Sequence, residues 1–224
     1  MLLNLKGANM MSMNRVQNLN KIADAGIIAV VRADTPEKAE AISKAAIKGG
    51  VMGIELTFTV PHADQVIAKL TEELPDGVIG AGTVLDVTSA RLAMMAGAGY
   101  IVSPTFDPDI AKLCNLYQIP YLPGCSSMTE MQRALEGGSD IVKLFPASVA
   151  GPGMIKAVHA PFPQINIMPT GGVNLDNLQE WFDAGAVCVG AGGNLVGPGE
   201  TGDYAQVTEN AKEYIKKFKE IKSK

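Results

Sequence analysis

Short apolar runs recur along this chain, each closed by Gly, Pro, Asp or Ser and followed by a stretch in which apolar positions fall three and four apart. Eight such runs occur: Ile27–Arg32, Gly53–Phe58, Val78–Val84, Tyr100–Pro104, Tyr121–Cys125, Ile141–Pro146, Asn166–Gly171 and Val187–Ala191. Their spacing of about 20 to 25 residues is the length of one strand-plus-helix unit and excludes an all-β chain. Val, Ile, Leu, Ala and Met fill the runs almost continuously, the pattern of parallel strands covered on both faces. The segments between them start as helices do. Thr35-Pro36-Glu37 places a capping hydroxyl before a first-turn proline, Asp107-Pro108-Asp109 repeats the device, and Ser127-Met128-Thr129-Glu130 fits a capping box. Ile110, Leu113, Cys114 and Tyr117 then form one helical stripe, and Leu178, Trp181 and Phe182 a shorter one, each read as a face packed on a sheet.

Eight strand-helix units in 224 residues predict an α/β protein built as a single (β/α)₈ TIM barrel, an architecture of about 250 residues in its usual form. An open doubly wound sheet would alternate in the same way. Its dinucleotide-binding version is excluded, because Arg32-Ala33-Asp34-Thr35, and not a Gly-x-Gly-x-x-Gly turn, follows Val30-Val31. Asn14 to Ala25 reads as an extra N-terminal helix able to close the barrel floor. Residues 1–13 are set aside as an N-terminal extension, leaving 14–224 as the barrel domain.

Composition narrows the chemistry. Lys and Arg number 19 against 23 Asp and Glu, a net charge of −4, so no nucleic-acid partner is expected. Lys216, Lys217, Lys219, Lys222 and Lys224 form the one basic cluster. They read as the solvated face and C-terminal charge of a last helix whose apolar face is Val207, Ala211, Tyr214, Ile215 and Phe218. Cys114, Cys125 and Cys188 are odd in number and widely spaced, and the histidines are two, His62 and His159, so neither a disulfide framework nor a metal site is expected. No stretch approaches the roughly 18 apolar residues of a membrane helix, and no secretory signal is recognisable, so a cytoplasmic protein with no membrane partner is expected.

Against nearly continuous apolar strands, polar residues carry information. Lys143 stands inside Ile141-Val142-Lys143-Leu144-Phe145-Pro146. Burying an ammonium costs several kcal/mol unless it is paired, whereas a desolvated lysine amine is a nucleophile toward carbonyl carbon. Glu55 stands inside Ile54-Glu55-Leu56-Thr57-Phe58-Thr59, where alternation puts Glu55, Thr57 and Thr59 on one face. If that face lines the barrel interior, Glu55 approaches Lys143 and can move protons through carbinolamine, imine and enamine. A structural ion pair between the two is the plainer alternative. Arg32, Thr83 and Thr170 lie at the C-terminal ends of strands, the rim where barrel active sites are found. The glycine turns Gly171-Gly172 and Gly192-Gly193 follow strands seven and eight, where barrels often cradle phosphate on backbone N–H groups. These residues leave three functions open: an imine-forming lyase, a sugar-phosphate isomerase on the same barrel, and a non-catalytic barrel that binds a phosphorylated metabolite.

The motifs in order, Val-Val-Arg, Gly-Ile-Glu-Leu-Thr-Phe-Thr-Val-Pro, Gly-Ala-Gly-Thr-Val, Ile-Val-Ser-Pro, Leu-Pro-Gly, Val-Lys-Leu-Phe-Pro and Pro-Thr-Gly-Gly-Val, resemble the class I 2-keto-3-deoxy-6-phosphogluconate and 4-hydroxy-2-oxoglutarate aldolases from Ile27 to Val196. The resemblance implies Lys143 as the Schiff-base lysine, Glu55 as general acid and base, and a 2-keto acid with an aldehyde phosphate as the small-molecule partners. It also implies substrate contacts from Thr83, Pro104, Phe145 and Thr170, a homotrimer, and no metal or other cofactor. Two positions depart from that family. Thr59 stands where many members carry an arginine for the pyruvate carboxylate, a task the resemblance passes to Arg32. Gly193 stands where many carry a phosphate-binding serine.

Overall fold

The computed structural model describes residues 13–223, so the proposed N-terminal extension lies, apart from Met13, outside the described residues. Eight parallel strands alternate with helices: β1 Ile27–Val31, β2 Gly53–Thr57, β3 Val78–Gly82, β4 Ile101–Ser103, β5 Tyr121–Cys125, β6 Val142–Leu144, β7 Ile167–Pro169 and β8 Val189–Ala191. They run side by side in the order β7-β6-β5-β4-β3-β2-β1-β8. Bridges from Ile167 to Ala186 and from Thr170 to Gly190 join β7 to β8, so the sheet closes on itself as the (β/α)₈ barrel.

The helices are α1 Asn14–Ala25, α2 Pro36–Lys48, α3 Ala63–Glu73, α4 Val87–Met95, α5 Pro108–Tyr117, α6 Met128–Glu136, α7 Ala147–Ala150, α8 Gly153–His159, α9 Leu178–Asp183, α10 Gly193–Val196 and α11 Tyr204–Lys222, with a 3₁₀ turn at Gly197–Thr201. The expected starts are in place. Thr35 accepts from the Lys38 N–H, Asp107 from the N–H groups of Asp109 and Ile110, and Ser127 and Glu130 complete a reciprocal capping box. On α11, Val207, Ala211, Tyr214 and Phe218 are buried and Ile215 packs at their margin. The α5 stripe is shorter than its periodicity predicts. Ile110 and Cys114 are buried, but Tyr117 at the last turn is 44% exposed, its ring covered by the Arg91 guanidinium 4.2 Å from the centroid.

Strand alternation separates two cores. Ile27, Ala29, Val31, Ile54 and Leu56 face outward to the helices. Ile28, Val78, Tyr100, Leu122, Met168 and Cys188 face inward, and Ile22 and Ala25 of α1 join them from below, so α1 closes the floor as the sequence suggests. Asn18 donates to the Gly99 carbonyl at 2.8 Å, and Arg15 reaches Asp140 at 2.7 Å, the bonds that tie α1 down. All three cysteines are free and buried, and burial pushes each thiol up to about 12, which keeps them protonated and unreactive at neutral pH. No described helix is long and apolar enough to cross a membrane.

Most strands are shorter at their C-terminal ends than the apolar runs that announce them. β3 stops at Gly82 because Thr83 takes a left-handed φ of 54°, costly for a β-branched residue. β2 stops at Thr57, which leaves Thr59 exposed at the rim instead of inside. Four of the residues lost from strand ends, Arg32, Phe145, Thr170 and Gly171, line the cavity at the mouth.

Candidate active site

The barrel interior above the floor is where the polar residues meet. β6 carries Lys143 inward between outward-facing Val142 and Leu144, and β2 carries Glu55 inward between Ile54 and Leu56. Lys143 Nζ donates to Glu55 Oε1 at 3.1 Å, with the side chains only 7% and 1% exposed. An amine and a carboxylate are therefore held against each other out of water. Glu55 Oε2 is buried with no protein partner, so half of the carboxylate's accepting capacity stays available.

Room for this pair comes from β3. Its register places Gly80 beside Glu55. A side chain at Gly80 would overlap the Tyr100 ring, and one at Gly82 would overlap the Glu55 carboxylate. The Gly-Ala-Gly-Thr motif is thus two inward glycines with Ala81 facing out, leaving the volume that Glu55 and Tyr100 fill. Tyr100 closes the floor beneath Glu55 and donates its hydroxyl to the Ile54 carbonyl at 2.7 Å. Burial, and then the charge of Glu55, hold that phenol well above its usual range, so it stays protonated and locked.

A cavity of about 390 Å³ opens at the C-terminal rim, and its wall brings together Arg32, Phe145, Thr170, Gly171, Gly172, Gly192 and Gly193. Phe145 is shared between cavity and pair, its ring centroid 5.2 Å from Lys143 Nζ. Thr170 Oγ1 is buried with no protein partner at the junction of β7 and β8. Gly171 and Gly172 have φ of 94° and 83°, which only glycine adopts freely. Gly192 and Gly193 face open space instead, with nothing within 4 Å of where a Cβ would sit.

Two residues expected at the site stand apart from that wall. Thr83 follows Gly82 at the end of β3, and Pro104 follows β4, where its carbonyl packs against Gly124, the register neighbour of Lys143. Val30, Val173, Asn194, Val196 and Glu200 complete the wall. Glu200 lies in the polar 3₁₀ turn, where no periodicity marks a residue for the cavity. Among the described residues, no three His, Cys, Asp or Glu side chains cluster to hold a metal ion.

The KDPG and KHG aldolase family matches residues 19–210. The 2-dehydro-3-deoxy-phosphogluconate aldolase of Treponema pallidum is 39% identical, over 81% of this chain and 88% of its own. The KHG/KDPG aldolase of Escherichia coli is 30% identical over 84% of this chain and 90% of its own. The KDPG aldolase of Legionella pneumophila, solved with pyruvate captured at low pH as a covalent carbinolamine, superposes with a TM-score of 0.80 at 30% identity. It covers 88% of this chain and 97% of that one.

Gly82→Ala tests the packing account without removing any functional group. The added methyl is expected to push the Glu55 carboxylate out of hydrogen-bond distance of Lys143 and to cost about 1–3 kcal/mol as overpacking. A crystal structure and a denaturant titration of the variant check this, and an unmoved Glu55 would refute it.

Proposed function

Because this chain belongs to the KDPG and KHG aldolase family, we propose that Lys143 and Glu55 carry out reversible cleavage of a 2-keto-4-hydroxy acid to pyruvate and an aldehyde. The chain is a class I aldolase, a lyase. Its first substrate is 2-keto-3-deoxy-6-phosphogluconate, which gives glyceraldehyde 3-phosphate as the aldehyde, and 4-hydroxy-2-oxoglutarate is the second, giving glyoxylate. The observation that carries this reading is the 3.1 Å contact between a buried amine and a buried carboxylate inside the barrel.

Each step follows from that contact. Glu55 takes a proton from the Lys143 amine, which attacks the C2 carbonyl to form a carbinolamine. Glu55 returns that proton to the carbinolamine hydroxyl, which leaves as water and gives the protonated imine with Glu55 again a carboxylate. Glu55, directly or through a water, then takes the C4 hydroxyl proton, and the C3–C4 bond breaks. Its electron pair flows into the imine to give an enamine while C4 leaves as the aldehyde. Return of the proton to C3 and hydrolysis of the imine release pyruvate and restore the lysine. Phe145 shields the imine, Arg32 takes the substrate carboxylate in its fork with Thr83 orienting it, Pro104 lines the pocket and Thr170 contacts the substrate. The backbone N–H groups of Gly171, Gly172, Gly192 and Gly193 face the distal phosphate.

An isomerase needs no imine, and a silent binding barrel makes no product. Borohydride reduction in the presence of pyruvate is expected to attach a three-carbon acid to the peptide containing Lys143, read by mass spectrometry. No added mass would refute the mechanism.

The open space at Gly193 supports a second expectation. Gly193→Ser fits without a clash and adds a hydroxyl donor at the phosphate end. It should lower KM for the phosphorylated six-carbon acid by about fivefold, the worth of one hydrogen bond, and leave 4-hydroxy-2-oxoglutarate cleavage unchanged. Equal effects on both substrates would remove phosphate from this end of the cavity.

The assembly is proposed to be a homotrimer of a cytoplasmic enzyme. Support comes from the outer face of α4 and α5, where Leu92, Met95 and Leu116 are 48%, 70% and 74% exposed and Leu85 just before α4 is 63% exposed. Apolar surface on neighbouring helices marks a protein contact. Light scattering should give three copies for the native chain and one for Leu92→Glu/Met95→Glu. A native monomer, or a charged variant that stays trimeric, would refute this seam.

A further inference from the structure

A second cavity, of about 560 Å³, opens beside the first and is walled by Arg32, Ala33, Asp34, Thr59, Glu200 and Thr201. Arg32 is the one cation in that wall. Among the described residues no carboxylate pairs with it, and Asp34 is engaged by Lys38 at 3.0 Å. Arg32 is also exposed. A long side chain in that setting explores many rotamers, and whatever fixes one of its N–H groups lowers the ordering cost of binding an anion.

Thr59 brings to the same wall a hydroxyl whose direction is set by its neighbours. Thr57 Oγ1 lies 3.1 Å from the Val31 carbonyl oxygen, which can only accept, so the single Thr57 hydroxyl proton is donated there. Thr59 Oγ1 lies 2.7 Å from Thr57 Oγ1. With the Thr57 proton already committed, Thr59 is the donor in that contact. Both protons point back along β2 toward the end of β1, and Thr59 presents only lone pairs to the cavity. Lone pairs repel a substrate carboxylate and match a guanidinium N–H.

We infer that Thr59, oriented by Thr57, is a positioning residue that accepts a hydrogen bond from the Arg32 guanidinium and holds its remaining N–H groups toward the 2-keto acid carboxylate. The inference rests on Arg32 being the carboxylate anchor. It assigns Thr59 a part in substrate binding with no contact to the substrate itself. The Val31 carbonyl that ends the relay belongs to the residue preceding Arg32, so the same hydrogen bonds also fix the backbone from which the arginine departs.

Steady-state kinetics of four variants test this. Thr59→Val keeps the shape and β-branch and removes the hydroxyl, and is expected to raise KM for the 2-keto acid by about tenfold with kcat within about twofold of the native value. Thr59→Ser, which keeps the relay, should restore KM. In an Arg32→Ala background, which raises KM by itself, Thr59→Val should have no further effect. If Arg32→Ala raises KM and Thr59→Val does not, the inference falls and the anchor stands. If the Thr59→Val effect persists in the Arg32→Ala background, Thr59 touches substrate and the inference falls. If Arg32→Ala leaves KM unchanged, the anchor and the inference fall together.

Discussion

The structure depends on one ion pair kept inside a closed sheet. Lys143 and Glu55 come from β6 and β2, across the barrel from each other, and neither can leave without stranding the other. Removing one partner of such a pair costs about 3–5 kcal/mol, because the remaining charge stays buried and uncompensated. The surrounding fold is arranged to accept that cost. Gly80 and Gly82 clear the volume, Tyr100 closes the floor beneath, and the outward neighbours of both charged residues pack in an apolar layer against the helices.

The same arrangement converts a structural liability into chemistry. A salt bridge with both carboxylate oxygens occupied would be inert. Here one oxygen of Glu55 holds the amine and the other is buried with no protein partner, the opening that the proposed proton transfers use. Around this pair the rim divides its labour. Phe145 is an apolar surface, Thr170 offers an unpaired hydroxyl, and the glycine turns after β7 and β8 leave space at the far end.

Much of this is legible in the chain. A charge inside a strand violates the apolar pattern so sharply that Lys143 and Glu55 stand out singly, and the period of two separates Glu55 from its outward neighbours. The floor-closing α1 is readable from its place ahead of β1. What the pattern misses lies where periodicity ends. Alternation groups Thr59 with the interior, but β2 stops two residues earlier, so the side chain joins the mouth. Glu200 sits in an irregular turn that brings it into the same wall as Arg32 by the path of the chain alone. Tyr117 completes a stripe on paper, yet the helix ends where that stripe would have met the sheet. Gly82 falls inside the Val78–Val84 run with nothing to mark its task, and in the structure it is the space that the Glu55 side chain of neighbouring β2 fills.

The sealed floor has a kinetic consequence. With Ile22 and Ala25 packed beneath the inner layer, the barrel is closed below Lys143 and Glu55, and the passage from the pair opens toward the C-terminal rim. On the proposed mechanism, the fragment bonded to Lys143 occupies the deep end of that passage and the departing fragment the shallow end. Departure is therefore sequential by geometry, with the aldehyde first and the keto acid second, and the reverse condensation must load its two reactants in the opposite order.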